Sequence, residues 1–164
     1  MILGQGMNEE FSNGKKVLAL MASPRKTGYT AKLLGALLRK FPKGTNIEIV
    51  NLYDLNPTPC NACGYCKAVT GCSKKDLEEF FKKFEDVDII IFATPIYFMG
   101  VPAPMKALVD RFQRYYAMRF SQGIKSPVKC PKKAALIIAA GSKGEGKVSI
   151  EKMFTQQFTV LNTR

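Results

Sequence analysis

Four of the five cysteines fall within the thirteen residues CNACGYCKAVTGC, from Cys60 to Cys72. Thiols this crowded have three uses: ligands for a metal or cluster, a disulfide framework, or small core residues. Cys60, Cys63 and Cys66 are separated by two residues each, and five residues separate Cys66 from Cys72. This spacing suits a compact iron-sulfur cluster with one thiolate at each metal corner. Structural zinc usually draws two short-spaced pairs from separate turns, which is not the pattern here. Pro57 and Pro59 stiffen the approach, and Gly64 and Gly71 allow tight backbone turns. The residues therefore nominate Cys60, Cys63, Cys66 and Cys72 as ligands of a [4Fe-4S] cluster, with a cluster-free site as the rival. Cys130, in a basic stretch before Pro131, reads as a buried or idle thiol unrelated to the group.

The surrounding chain narrows these uses. A start of MILGQGMNEEFSNGKK has only Met1 to Leu3 as an apolar core and does not read as a signal peptide. A cytoplasmic location is the resulting expectation, and there thiols stay reduced, which argues against disulfides. An odd cysteine count agrees. No apolar run approaches the roughly 20 residues needed to span a bilayer, so no membrane association is expected. With 164 residues, one domain can bury a sizeable core without disulfides. Histidine is absent, which removes the commonest general base and weakens hydrolase readings.

A formal net charge of +12 raises the prospect of an anionic partner. Residues 111 to 144 carry eight Lys or Arg and no acid, whereas residues 47 to 91 are slightly acidic. A solvated basic surface, an acidic electron-transfer protein and a phosphorylated cofactor all fit that distribution. Nucleic acid fits poorly, because no recognition helix, zinc finger or RNP-type signature accompanies the charge.

The elements that must position such groups alternate along the chain. Apolar runs after Lys16, at Ile47–Val50, after Asp88 and after Ala134 read as buried parallel strands. Between them, Leu33, Leu34, Leu37, Leu38 and Phe41 form one helical stripe. Leu77, Phe80, Phe81 and Phe84 form a second, in a helix started by Asp76. Met105, Leu108, Val109 and Phe112 form a third, in a helix starting near Pro104. A weaker helix is expected over 147 to 157, and Phe158 to Asn162 reads as a fifth strand. The order implies an α/β, doubly wound, five-stranded parallel sheet with helices on both faces. A chain ending at a fifth strand without a closing helix implies either another subunit over that edge or a shortened chain. Residues 1 to 15 read as an N-terminal extension, residues 16 to 164 as the domain, and residues 57 to 73 as a cysteine-rich insert.

In a doubly wound sheet, ligands bind beyond the carboxyl ends of the strands. The loop after the first strand, SPRKTGYT, leads straight into a helix. Its hydroxyls, cations and Gly28 lie where backbone N–H groups and the helix dipole can cradle one phosphate. Neither a dinucleotide GxGxxG nor a Walker loop is present. The loop after the third strand, TPIYFMGVPAP, sets Tyr97, Phe98 and Met99 to flank a flat ring between rigid prolines. The loop after the fourth strand, Ala140 to Gly146, reads as flexible and polar and suits the mouth of a site. One phosphate cradle beside an aromatic loop suggests a mononucleotide carrying a planar group.

Together, ASPRKTGYT, CNACGYCKAVTGC and TPIYFMGVPAPMKALVDR resemble the NAD(P)H-dependent FMN reductase family, and the cysteines resemble its iron-sulfur flavoprotein branch. The resemblance implies a flavodoxin-like fold, bound FMN, NADH or NADPH as reductant, and a homodimer or homotetramer with flavin sites near subunit interfaces. Ser23, Arg25, Lys26, Gly28 and Thr30 match the phosphate loop. Tyr29 joins them as a departure, standing where relatives commonly carry a small polar residue. Pro95, Ile96, Tyr97 and Phe98 match the loop beside the isoalloxazine, and Gly141 completes the cofactor set. Lys106 to Arg111 also match, on a helix whose apolar stripe points to packing or subunit contact. Relatives keep similar cysteines with or without iron, so cluster and no cluster both stay open.

Three functions fit these features. The first is an FMN-dependent oxidoreductase moving electrons between reduced nicotinamide or ferredoxin, FMN and an acceptor, and no catalytic side chain is needed beside the cofactor. The second is an electron carrier that exchanges with an acidic ferredoxin-like protein. The third is a non-redox oligomeric module that binds an anion.

Overall fold

The first apolar run becomes β1, Lys16–Met21, whose last five residues are all buried. A strand buried on both faces needs apolar side chains in both directions, and that is why the run is continuous rather than alternating. The same holds for β3, Ile89–Pro95, where every residue is buried. With β2, Asn46–Asn51, and β4, Lys133–Ala139, these strands form a parallel sheet in the order β2-β1-β3-β4. Register pairs Leu18 with Glu48 and Ile90, and Phe92 with Leu136. This computed structural model describes residues 14–125, 127–128, 132–141 and 143–162. Cys130 and nearly all of the expected N-terminal extension lie outside those residues.

Seven helices complete the described chain: α1 Tyr29–Leu38, α2 Leu52–Leu55, α3 Tyr65–Ala68, α4 Glu78–Asp86, α5 Ala103–Arg111, α6 Gln113–Phe120 and α7 Lys147–Val160. One face of the sheet packs Leu18, Leu20, Ile90 and Phe92 against Phe80, Phe84, Leu108 and Phe154 from α4, α5 and α7, and against Phe112 between α5 and α6. The opposite face buries Val17, Ala19, Ile89 and Ile91 under Leu34 of α1. Leu33, placed in the α1 stripe by its spacing, is exposed. Helix α4 begins at Glu78 rather than Asp76, because the Asp76 carboxylate is engaged elsewhere, accepting from the Thr58 N–H at 2.8 Å. No described helix is long and apolar enough to cross a membrane.

The expected five-stranded sheet is corrected here. Residues 158 to 160 continue α7, and the sheet has four strands among the described residues. The short window FTVL is rich in β-formers, but Ile150, Phe154 and Phe158 share one helical face with Leu161. That face is what the fold uses: the Phe154 and Phe158 rings lie 4.8 and 5.8 Å from the Phe92 ring, and Leu161 is fully buried. Thr155 and Thr159 return their hydroxyls to the carbonyls four residues back, at 2.9 and 3.1 Å. Tertiary burial of the stripe has overridden local strand preference. Beside β4 lies a groove of about 730 Å³ lined by Ile96, Leu136, Ile138, Phe154 and Phe158 among others.

Exposed Thr159 separates the two assignments experimentally. In a helix, Thr159→Ala should stabilise the protein by a few tenths of a kcal/mol up to about 0.7 kcal/mol, because alanine is the better helix former. In a strand the sign reverses. Urea unfolding of the two proteins reads the sign.

Candidate functional site

A parallel sheet delivers the carboxyl ends of all its strands to one edge, and the loops after β1, β2, β3 and β4 meet there. The β1 loop is drawn in from both sides: Ala22 N–H donates to Ala93 O at 2.8 Å, and Asn51 Nδ2 donates to Ser23 O at 3.3 Å. Ser23 is buried, and its Oγ accepts from the Arg25 N–H at 3.2 Å. Gly28 is the N-cap of α1 and offers no capping side chain. The first-turn N–H groups of α1 therefore keep their capacity for an outside acceptor. A Cβ on Gly28 would come within 3.1 Å of Arg25 Cβ, so a side chain there would crowd the turn that presents those groups.

The two cations of this loop have separate fates. Lys26 makes an ion pair with Asp54 of α2 at 2.7 Å. Arg25 makes no ion pair among the described residues and is exposed. Thr30 is buried at the start of α1, while Tyr29 stands out in solvent with the Lys32 ammonium 5.6 Å from its ring centroid. Sequence reasoning missed Asp54, because only the fold brings α2 to the β1 loop.

The β3 loop carries strain. Ile96 N–H is tied to Ala139 O of β4 at 2.9 Å, and Tyr97 and Gly100 exchange both backbone hydrogen bonds at 2.9 Å. Phe98 and Met99, the two central residues of that tight turn, have φ of +44° and +65°. Asn and Gly are the residues that such a turn prefers. Instead it holds a fully exposed phenylalanine and a half-exposed methionine. A bulky residue kept in the left-handed region costs about 1–3 kcal/mol and points to a use for the strain.

Gly146, at the start of α7, shows how the turn is held. A Cβ on Gly146 would lie 2.7 Å from Met99 Cα and 2.8 Å from Met99 C and O. Only glycine lets α7 approach the turn so closely. Gly141, expected at the mouth of the site, would meet nothing within 4 Å if it carried a Cβ, and it is exposed. Close approach thus belongs to Gly146, five residues further along the same loop. Tyr53 of α2 is also part of the neighbourhood. Its hydroxyl is pushed above the usual phenol range by burial first and then by the nearby Tyr97 phenol. The fold brings Tyr53, Tyr97 and the β1 loop together, and nothing in the spacing announced Tyr53.

The four cysteines of the insert line one cavity of about 480 Å³, with Lys67, Lys74 and Asp110 among its other walls. Cys60 and Cys63 are exposed, Cys66 and Cys72 half-buried. A hydrogen bond with the Ser73 hydroxyl at 3.2 Å is the main cause holding the Cys63 thiol below its ordinary pKa. Burial pushes the Cys66 thiol up, with the other three sulfurs adding to the shift. Among the described residues no three His, Cys, Asp or Glu side chains converge at metal-binding range. The four thiols share a cavity without meeting at one point. Donor type and common cavity fit an iron-sulfur cluster.

A family profile described as NADPH-dependent FMN reductase matches residues 15–164. The chain belongs to that family. It is 33% identical over 102 residues to an iron-sulfur flavoprotein of Archaeoglobus fulgidus, covering 61% of this chain and 46% of that protein. An iron-sulfur flavoprotein of Methanocaldococcus jannaschii is 37% identical over 98 residues, covering 58% of this chain and 51% of that protein. The chain spans about half the length of these curated relatives. Among solved structures, an NAD(P)H:quinone oxidoreductase from Methanothermobacter marburgensis superposes with a TM-score of 0.72 at 18% identity, over 90% of this chain and 79% of that one. That likeness establishes the shared α/β fold.

If the strain at 98–99 serves the site, relieving it should separate stability from binding. Phe98→Asn together with Met99→Gly should raise stability by roughly 1–2 kcal/mol in urea. FMN affinity, followed by quenching of flavin fluorescence, should fall in the same variant. A stabler protein with unchanged affinity would remove the turn from the site.

Proposed function

We propose that this chain forms the FMN-binding part of an oxidoreductase that takes electrons from NADH or NADPH and passes them to an acceptor, with a cysteine-bound iron-sulfur cluster beside the flavin. One observation carries the reading. The uncapped start of α1 and the strained aromatic turn 97–100 both lie beyond the carboxyl ends of β1 and β3, which are paired neighbours. A phosphate held at one and a planar ring held at the other is the shape of a flavin mononucleotide. When bound, FMN supplies hydride acceptance from reduced nicotinamide and onward release of electrons.

The chain's own residues bind and orient. First-turn N–H groups of α1 would hold the phosphate, with the helix dipole in their favour. Arg25 supplies the positive charge, since Lys26 is engaged by Asp54. Buried Ser23, whose Oγ accepts from the Arg25 N–H, would shape the cradle. Pro95, Ile96, Tyr97 and Phe98 would line the ring, and Gly146 keeps their turn seated against α7. Cys60, Cys63, Cys66 and Cys72 would hold the cluster, the shared cavity being the feature that supports them. A [4Fe-4S] cluster suits four thiolates of this spacing.

Reversing the charge at Arg25 tests the flavin half. Arg25→Glu should weaken FMN by at least about tenfold, the order expected for losing one charge-assisted contact. Riboflavin, which has no phosphate, should bind nearly as before. Equal losses for both ligands would place the phosphate elsewhere. Protein purified without oxygen should in addition carry flavin absorption with about four iron and four sulfide per chain, as the cluster type requires. Flavin without iron after full reconstitution would sink the cluster half alone, and a colourless protein that takes up no FMN would favour the anion-binding module.

The net charge of +12 favours an acidic electron-transfer protein such as a ferredoxin as the exchange partner. Its association rate should fall as salt shortens the screening length to roughly 10 Å and below. A rate flat from low to high ionic strength would remove the basic surface from that role.

A further inference from the structure

The carboxyl end of α5 holds a side chain that the flavin reading does not use. Arg111 is 2% exposed, and its guanidinium reaches three acceptors, one within the cysteine insert and two just after it. Nη1 donates to Thr58 O at 2.9 Å and to Asp76 Oδ1 at 2.8 Å, and Nη2 donates to Lys74 O at 2.9 Å. Thr58 lies two residues before Cys60, and Lys74 lies two residues after Cys72. One planar fork therefore spans both ends of the segment that carries the four thiols.

The remaining contacts show that the latch is at the neck. Asp76 also accepts from the Thr58 N–H at 2.8 Å, so carboxylate and guanidinium together tie the incoming strand to the outgoing one. Its carboxyl feels burial, which would raise its pKa, but the Thr58 N–H and Arg111 outweigh burial and hold it below the ordinary carboxylate value. Farther out, Gln122 Nε2 donates to Cys66 O at 2.8 Å, and Thr70 Oγ1 donates to Gln122 Oε1 at 3.1 Å. These anchor the crown of the segment to the residue just beyond α6. Arg111 Nε has no partner among the described residues, although it is buried. Burying a guanidinium with an orphaned donor is unfavourable unless its other contacts matter.

Helix α5 gives the latch its meaning. Its first residues follow the turn 97–100 through Pro102, and its last residue is Arg111. Nine helical residues at about 1.5 Å each separate those ends by about 13 Å. Met105, Leu108 and Val109 are buried, so the helix cannot slide. We propose that Arg111 is a positioning residue: it holds the cysteine segment closed, with its thiols facing one cavity, at a spacing from the flavin-side turn that α5 sets. The relation to electron transfer rests on the flavin and cluster reading above, whereas closure of the segment does not.

Residue-resolved thiol labelling tests closure without iron or flavin. Reduced, iron-free protein is alkylated anaerobically with iodoacetamide, each cysteine is followed by peptide mass spectrometry, and amide exchange in β1 and β3 is read on the same samples. Cys60 and Cys63 are already exposed, so Cys66 and Cys72 report the latch. In Arg111→Ala both half-buried thiols should label about tenfold faster or more, the local opening leaving sheet exchange unchanged. Arg111→Lys keeps a positive charge beside Asp76 but cannot fork across both ends, so it should not restore protection. Protection retained in Arg111→Ala, protection restored by Arg111→Lys, or sheet exchange rising in step with labelling would each overturn the proposal. Iron and sulfide content, measured separately, would report on the cluster and leave this outcome untouched.

Discussion

Parallel pairing of β1 with β3 is the constraint on which the rest of the molecule depends. Parallel strands run in one direction, so their exits, and the loops that follow them, gather on one edge. Burial enforces the pairing: β3 has no exposed residue, and β1 has none after Lys16. Shifting either strand by one residue would exchange the side chains of the two faces. Leu18, Leu20, Ile90 and Phe92 must face the aromatic layer while Val17, Ala19, Ile89 and Ile91 face α1. The positions of Ser23 and Pro95 follow from that register, since Pro95 ends β3 and Ser23 follows the end of β1 by two residues.

From this frame the molecule supports conformations that short segments would not choose. Phe98 and Met99 sit in the left-handed region because their neighbours are pinned: Tyr97 to Gly100 across the turn, Ile96 to Ala139, and Met99 to the backbone of Gly146. A free peptide of that sequence would relax to another turn. Keeping an aromatic ring wholly exposed at the tip is unfavourable in the isolated domain, and a planar ligand is one way to recover that loss.

The cysteine insert obeys different physics. It has little apolar content to bury, and its thiols make only weak contacts of their own. Closure comes from outside, through a guanidinium at its neck and an amide at its crown, contributed by the ends of α5 and α6. Arg111 can be buried because three acceptors converge on it, and Arg114 beside it lies over the Phe81 ring at 4.4 Å. The helices under the insert thus serve the sheet with one face and the insert with their carboxyl ends.

Much of this was legible in the residues. Continuous apolar runs identified four strands, helical stripes identified the layers, and SPRKTGYT and TPIYFMGVPAP were legible as the loops that leave β1 and β3, because burial on two faces and exposure at one end leave local signatures. Phe158 to Asn162 misled, since four residues of strand-forming type say nothing about a stripe shared with Ile150 and Phe154. Helix α6 was not foreseen, its stripe being broken by Arg and Gln. Arg111 reads from the sequence as packing or subunit contact, because its three acceptors lie 53, 35 and 37 residues away in the chain. Tyr53 and Asp54 are likewise silent in the sequence, and Gly146, though part of the polar loop after β4, gives no sign there of its approach to Met99. The sequence by itself determined which segments would be buried and which would turn, because those depend on side-chain type and local period. Tertiary structure decided which polar groups meet, because a hydrogen bond between distant residues exists only once the sheet has fixed where each loop emerges.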